Sequence, residues 1–185
     1  MALVESQNVA LGIPAYDFSL DGADGKTYEL DDFSDANVLV IVFMCNHCPY
    51  VQAVWDKLVM LQEKHQDHGV QFVGINPNTA HPDYRRNENL EQMSEYAEEY
   101  GMNFPYLDDV DQEIAREYDA QCTPDIFVYD ANRKLVYHGR VDDARASDRE
   151  ASHHDLDDAL DALVRGKKLN SKQFPSMGCS IKWAG

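Results

Sequence analysis

One uninterrupted run of apolar residues follows Asn37 and ends at Met44. Most residues of the run are β-branched, which is typical of a strand buried on both faces of a parallel sheet. Apolar residues then return at helical spacing, at Val51, Val54, Trp55, Leu58 and Leu61. The pattern therefore predicts a central strand that runs directly into an amphipathic helix.

A second apolar run, residues 70–75, follows the first helix. The order strand, helix, strand predicts a right-handed parallel crossover. Helical spacing returns at residues 90–100, after a polar loop at 78–87. Shorter apolar segments predict a strand at 106–107 and a short helix at 114–118.

Turn residues separate two pairs of short apolar segments, and each pair predicts a β-hairpin. Residues 16–20 and 28–30 flank a turn rich in Asp and Gly, and we expect this hairpin to extend the sheet at an edge. Residues 126–129 and 135–138 flank a second polar turn. The chain is therefore predicted to have an α/β fold in which the sheet is mixed.

The last helix is predicted to begin at Ser152, because Asp155 three residues later completes a capping pattern. A length of 185 residues suits one domain with a full hydrophobic core. We predict a single domain over residues 1–185, with its core at about 12–165 and a carboxyl-terminal tail at 167–185.

The chain is strongly acidic, with 33 Asp and Glu against 16 Lys and Arg and a formal net charge of −17. Such a charge repels nucleic acids and anionic membrane surfaces, so neither is an expected partner. The first seven residues lack the basic and apolar regions of a signal peptide, and no segment is apolar enough to span a bilayer. We therefore expect a cytoplasmic protein, in which cysteines are kept reduced.

Cys45 and Cys48 lie at the predicted junction of the central strand and the first helix. The partial positive charge and free N–H groups of a helix N-terminus stabilise a thiolate, the reactive form of cysteine. Cys-x-x-Cys sites lower the thiol pKa from about 8.5 to roughly 3.5–7.5. His47 lies between the two cysteines and is predicted to favour the Cys45 thiolate, which makes the pair more oxidising. The sequence therefore predicts redox chemistry at this pair.

Metal binding is an alternative use of the same residues. Cys45, His47 and Cys48 could bind a metal ion, but a closed structural zinc site uses four ligands and the chain has no second Cys-x-x-Cys pair. A module for metal binding or delivery therefore remains open beside the redox site. Covalent haem attachment is excluded, because Pro49 stands where that motif has histidine. No resident metal or other cofactor is predicted.

Two features together resemble the thioredoxin superfamily: a Cys-x-x-Cys between strand and helix, and Thr123-Pro124 at the start of a later hairpin. The first hairpin and residues 122–125 are similar to two branches, the peroxiredoxin-like alkyl hydroperoxide reductase/thiol-specific antioxidant proteins and the TlpA/ResA-like oxidoreductases. The resemblance covers residues 12–165. It implies a thioredoxin fold, with a central mixed β-sheet flanked by helices and an N-terminal β-hairpin extension.

The resemblance also implies a thiol–disulfide oxidoreductase in which Cys45 attacks and Cys48 resolves. Pro124 would be a cis-proline against the pair, and the Thr123 backbone would bind an extended substrate. The expected partners are a protein or small-molecule disulfide and a reducing partner such as a thioredoxin-type system. A thiol-dependent peroxidase remains an alternative, although the peroxiredoxin motif Pro-x-x-x-Thr-x-x-Cys fits neither cysteine.

Four other positions bear on this mechanism. Thioredoxin itself carries a buried acid on the central strand where this chain has Leu39. Another group must therefore take the proton from Cys48, and Asp125 is a candidate. Cys122 is predicted to be a small buried apolar residue. Cys179, in the tail, is either a packed thiol or a third redox thiol.

Overall fold

The computed structural model describes residues 2–144, 150–170 and 172–184. The strands are Leu3–Glu5 (β1), Ser19–Gly22 (β2), Thr27–Glu29 (β3), Val38–Phe43 (β4), Val70–Asn76 (β5), Tyr106–Asp108 (β6), Cys122–Thr123 (β7), Asp125–Tyr129 (β8), Leu135–Gly139 (β9) and Met177–Ser180 (β10). The helices are Pro49–His65 (α1), Leu90–Glu99 (α2), Glu113–Glu117 (α3) and Asp155–Val164 (α4).

The main sheet has seven strands in the order β3-β2-β6-β5-β4-β8-β9. β4 pairs parallel with β5 and antiparallel with β8, so the sheet is mixed. All six residues of β4 are buried, which explains why its apolar run has no polar interruption. The prediction of a central mixed sheet flanked by helices is confirmed.

Alternate side chains of β4 enter two separate hydrophobic clusters, because successive residues of a strand point to opposite faces. On one face Val40 packs in a cluster with Trp55 of α1 and Leu156 of α4. On the other face Ile41 packs in a cluster with Tyr118, which follows α3. The two clusters hold the carboxyl end of β4, and with it the candidate site, between the two helical layers.

The N-terminal hairpin extends one edge of the main sheet, as predicted. β2 pairs antiparallel with β3 on one side and with β6 on the other. The hairpin therefore adds two strands to the sheet, on the β6 side of the parallel strands β4, β5 and β6.

The last helix begins at Asp155, three residues later than predicted. The carboxylate of Asp143 accepts hydrogen bonds from the backbone N–H groups of Ser152 at 2.7 Å and His153 at 3.0 Å. These bonds satisfy the two N–H groups outside the helix, and His154 becomes the residue that precedes the first turn.

A second sheet joins both ends of the chain to the segment before Pro124. Its three strands lie in the order β1-β10-β7, all antiparallel. The predicted tail thus contains an ordered strand, β10, whose backbone pairs on both sides. Among the residues that the structure describes, no helix is long and apolar enough to cross a membrane.

Candidate active site

The junction of β4 and α1 places both cysteines of the Cys-x-x-Cys motif in the interior. β4 ends at Phe43, and Cys48 precedes the first residue of α1 with an extended backbone. Pro49 occupies the first helical position, where its missing N–H costs no hydrogen bond. The side chains of Cys45 and Cys48 are both fully buried. The predicted placement of two sulfurs at a helix N-terminus is therefore observed.

Thr123 touches both sulfurs. Its Oγ1 lies 3.4 Å from Cys45 Sγ, and its backbone carbonyl accepts a hydrogen bond from Cys48 Sγ at 3.1 Å. The peptide bond between Thr123 and Pro124 is cis, which is the geometry that the resemblance implied. This loop lies directly against the cysteine pair, although 75 residues separate Cys48 from Thr123 in sequence.

Glu88 is a fully buried carboxylate that holds the turn between the two cysteines. Its oxygens accept hydrogen bonds from the backbone N–H of Asn46 at 3.0 Å and of His47 at 2.9 Å. The side-chain amide of Asn76 donates to the same carboxylate at 2.7 Å. Analysis of the sequence missed Glu88, because it directly follows a polar loop and nothing in its local pattern distinguishes it from an exposed acid.

His47 is bound to this carboxylate. Its Nδ1 contacts Glu88 Oε1, and its ring stacks on Tyr84 with centroids 4.8 Å apart. The buried Nε2 of His47 has no hydrogen-bond partner among the described residues. Tyr84 lies in the predicted polar loop and Glu88 directly follows it, and both cover the cysteine motif in the structure.

The acidity of the pair differs from the prediction that His47 favours a Cys45 thiolate. Burial raises the pKa of Cys45 well above its ordinary value, and hydrogen bonding to Cys48 and the charge of Glu88 raise it further. Hydrogen bonding from Cys45 instead lowers the pKa of Cys48 to about 5, with a smaller contribution from the Val51 N–H. These pKa directions favour Cys48, at the start of α1, over Cys45 as the thiol that ionises first.

The carboxyl group of Asp125, the candidate for proton transfer predicted from the sequence, binds a histidine and not the cysteine pair. It is fully buried and its Oδ1 lies 2.8 Å from Nε2 of His138. Burial raises the pKa of Asp125, while the hydrogen bond from His138 lowers it. The carboxylate that the structure brings to the cysteine pair is instead that of Glu88.

The two remaining cysteines lie on neighbouring strands of the second sheet. Cys122 is fully buried, as predicted, and its Sγ donates to Pro124 O at 3.6 Å. Cys179 is 3% exposed, and its thiol interacts with that of Cys48. Burial, followed by this interaction, raises the pKa of Cys179 to about 12.

A metal ion would find three ligand atoms beside the motif. One ligand atom each from Cys45, His47 and Glu88 lie within 4.8 Å of one another. The set of metal ligands predicted from the sequence contained Cys48, and in the structure Glu88 takes its place. Three ligands are fewer than a closed structural zinc site uses, and the ring of His47 is already bound to Glu88.

Comparison with known proteins gives a consistent result. The family model described as the AhpC/TSA family matches residues 11–138. A thiol-disulfide oxidoreductase, ResA of Bacillus subtilis (strain 168), is 23% identical over 130 residues, which are 70% of this chain and 67% of ResA. The similarity supports an oxidoreductase function of the thiol–disulfide type.

Two solved structures show how far the likeness extends. An uncharacterized conserved protein from Geobacillus kaustophilus is 42% identical with a TM-score of 0.93, over 100% of this chain and 97% of that one. The thioredoxin domain of a thiol-disulfide oxidoreductase from Bacteroides vulgatus is 17% identical with a TM-score of 0.66, over 85% and 99% of the two chains. The predicted thioredoxin fold is confirmed.

Proposed function

The chain belongs to the AhpC/TSA family, and from that premise we propose that it exchanges thiols and disulfides at Cys45 and Cys48. The observation that carries the proposal is the contact of Thr123 with both sulfurs, at 3.4 Å to Cys45 and 3.1 Å to Cys48. Thr123 Oγ1 can donate to a Cys45 thiolate while Thr123 O accepts from the Cys48 thiol, so this loop stabilises the form of the pair in which Cys45 is the anion. Exchange begins from that form, because Cys45 attacks the substrate first and Cys48 attacks Cys45 in the following step.

The first step is a proton transfer within the pair. The pair shares one proton in two arrangements: the pKa shifts favour the proton on Cys45, and the contact of Cys48 Sγ with Thr123 O favours it on Cys48. When the proton moves to Cys48, that thiol donates to Thr123 O, and Thr123 Oγ1 can donate to the new Cys45 thiolate. Thr123 thus supports the form of the pair in which Cys45 is the nucleophile.

The second step transfers two electrons to the substrate. Cys45 thiolate attacks one sulfur of a client disulfide, a mixed disulfide forms, and the other client sulfur leaves as a thiolate that solvent protonates. Cys48 then loses its proton and attacks Cys45, which releases the second client thiolate. The products are a reduced client and a Cys45–Cys48 disulfide.

The proposed substrate is an extended peptide or small molecule that carries a disulfide. Such a peptide would pair with the backbone of Thr123, beside the cis bond. A dithiol donor such as a thioredoxin-type protein would reduce the Cys45–Cys48 disulfide and complete the cycle. At a cytoplasmic glutathione poise of about −220 to −320 mV, the pair would rest reduced and act as a reductant.

Trapping of the mixed disulfide tests this function. In Cys48→Ser the second step is blocked, so Cys45 should remain bound to a model client such as oxidised glutathione, with a mass increase of one glutathionyl group. Cys122→Ser is the matched control, because it removes a buried thiol of the same region and leaves the pair intact; it should release the client like wild type. Equal adduct levels on Cys48→Ser and Cys45→Ser would contradict the proposal.

A thiol peroxidase is a second candidate, favoured by the same Thr123 hydroxyl. The threonine hydroxyl of the peroxiredoxin motif is absent from this chain, but the hydroxyl oxygen of Thr123 lies 3.4 Å from Cys45 Sγ. Cys45 thiolate would attack the peroxide, leaving a sulfenic acid and an alcohol or water, and Cys48 would then form the disulfide and release water. Consumption of hydrogen peroxide by the reduced protein, with Cys45→Ser as control, tests this activity.

A further inference from the structure

The edge at which a client would pair is occupied by the carboxyl-terminal strand of the protein itself. In the register of β10 and β7, Cys179 lies opposite Thr123 and Ser180 lies opposite Cys122. β10 is therefore in the position proposed for an extended client, with a cysteine opposite the residue that contacts both catalytic sulfurs. A client can pair with this edge of β7 only when β10 leaves.

The fit of β10 against the loop is close at Gly178. A Cβ atom added to Gly178 would lie 2.0 Å from Thr123 O and 3.2 Å from Cδ of Pro124. The same Thr123 carbonyl accepts the hydrogen bond of Cys48 Sγ. Only glycine permits this approach, so residue 178 determines whether the strand can dock.

Three thiols meet at this contact. Cys45, Cys48 and Cys179 belong to one buried cluster, and hydrogen bonds with both other thiols lower the pKa of Cys48. Cys179 is 3% exposed and lies opposite Thr123, whose carbonyl oxygen contacts Cys48 Sγ. Cys122, on the adjacent strand, instead directs its thiol to Pro124 O.

We propose that Cys179 is a third redox thiol, which forms a disulfide with Cys48 and locks β10 over the client-binding edge. The proposal rests on the proposed function, since exchange at Cys45 and Cys48 supplies the disulfide that starts the step. It assigns the tail a regulatory role: the reduced strand can be displaced by a client, and the bonded strand cannot.

The step is an intramolecular thiol–disulfide exchange. Cys179 loses a proton and its thiolate attacks Cys48 of the Cys45–Cys48 disulfide. The Cys48–Cys179 bond forms, the Cys45–Cys48 bond breaks, and Cys45 leaves as a thiolate that takes up a proton. The number of disulfides is unchanged, so no further oxidant is needed. A dithiol reductant that cleaves Cys48–Cys179 would release the strand.

Disulfide mapping of cysteine variants tests the lock. In Cys45→Ser, oxidation with diamide should link Cys48 to Cys179, detected by mass spectrometry of peptides digested without reduction. The bridge should be absent when Cys179→Ser is added and should persist when Cys122→Ser is added. In wild type, a series of glutathione buffers should yield both the Cys45–Cys48 and the Cys48–Cys179 bridges, which makes the test independent of the folding of any variant.

Gly178→Ala tests the docked strand separately. The added methyl group cannot fit against Thr123 O, so β10 should leave and the alkylation rate of Cys48 should rise by about tenfold or more, as local opening predicts. Gly101→Ala is the control, because it strains a glycine with φ of 59° where no atom would meet the new methyl group. It should leave the alkylation of Cys48 unchanged.

Two results would overturn the inference without touching the proposed function. One is a wild-type protein that forms the Cys45–Cys48 bridge while Cys48–Cys179 is absent in every glutathione buffer. The other is a Gly178→Ala variant whose Cys48 is alkylated at the wild-type rate. Absence of the Cys45–Cys48 bridge itself would instead contradict the proposed function.

Discussion

The backbone N–H of His47 donates a hydrogen bond to Oε1 of Glu88 at 2.9 Å, across 41 residues of sequence. The N–H of Asn46 donates to the other oxygen at 3.0 Å, so one buried carboxylate fixes the turn between the two cysteines. The same charge faces Cys45 and raises its pKa. Glu88 therefore shapes the turn and directs the thiolate toward Cys48.

Glu88→Gln should lower the pKa of Cys45, because it removes the negative charge beside the sulfur. The variant also loses one acceptor for two buried N–H groups, so its free energy of unfolding should fall by about 1–3 kcal/mol. The pH dependence of iodoacetamide labelling, resolved for the Cys45 peptide by mass spectrometry, and urea unfolding measure the two effects. Glu98→Gln, an exposed acid of α2, is the control. An unchanged Cys45 profile would contradict the assigned role.

Thr123→Val should slow the reduction of oxidised glutathione about tenfold, because the Cys45 thiolate loses a hydroxyl donor placed at 3.4 Å. Thr123→Ser keeps the hydroxyl and should react at nearly the rate of wild type. Valine has the shape of threonine, so packing changes little. If the two variants react equally fast, the hydroxyl plays no part in activating the sulfur.

The stability of the reduced protein should depend on the ionisation of Cys48. Its pKa falls from an ordinary value of 9.0 to about 5 on folding. The stabilisation is therefore fully present above the ordinary pKa and is lost as the pH falls through about 5. The difference in unfolding free energy between wild type and Cys48→Ser should grow from pH 5 to pH 9, by urea unfolding under a thiol-free reductant. A constant difference would show that Cys48 is not acidic in the folded protein.

Asp125→Asn should leave the labelling profiles of Cys45 and Cys48 unchanged, because the Asp125 carboxylate is bound to His138 and not to the pair. The buried polar contact is weakened, and the free energy of unfolding should fall by about 1–3 kcal/mol. A shift of the Cys48 profile would instead restore Asp125 as the group that takes its proton. His138→Gln tests the same contact from the other side and should destabilise the fold in the same way.

The strand-to-helix junction could be predicted because its signals are local. The apolar run of β4 and the helical spacing of α1 lie on either side of Cys45 and Cys48, so periodicity alone places the pair. The role of Thr123-Pro124 required a resemblance, because the two residues reach the site only through the pairing of β8 with β4.

The remaining contacts of the site could not be predicted, because each depends on a loop or tail that returns from far along the chain. Glu88 has the sequence context of a surface acid, and its burial depends on N–H groups 41 residues away. β10 is a four-residue strand with glycine and serine, too short for a recognisable alternation. α4 begins later than predicted because the Asp143 carboxylate accepts hydrogen bonds from two backbone N–H groups that precede the helix.

Redox titration of the wild-type protein tests the central claim most directly. The reduced protein is equilibrated in glutathione buffers of increasing oxidised fraction and quenched with acid, and its disulfides are mapped by mass spectrometry. The account predicts that Cys45–Cys48 forms reversibly and that Cys48 in the reduced protein is labelled as a thiol of low pKa. Failure of that bridge to form in every buffer, together with a Cys48 no more acidic than free cysteine, would contradict it.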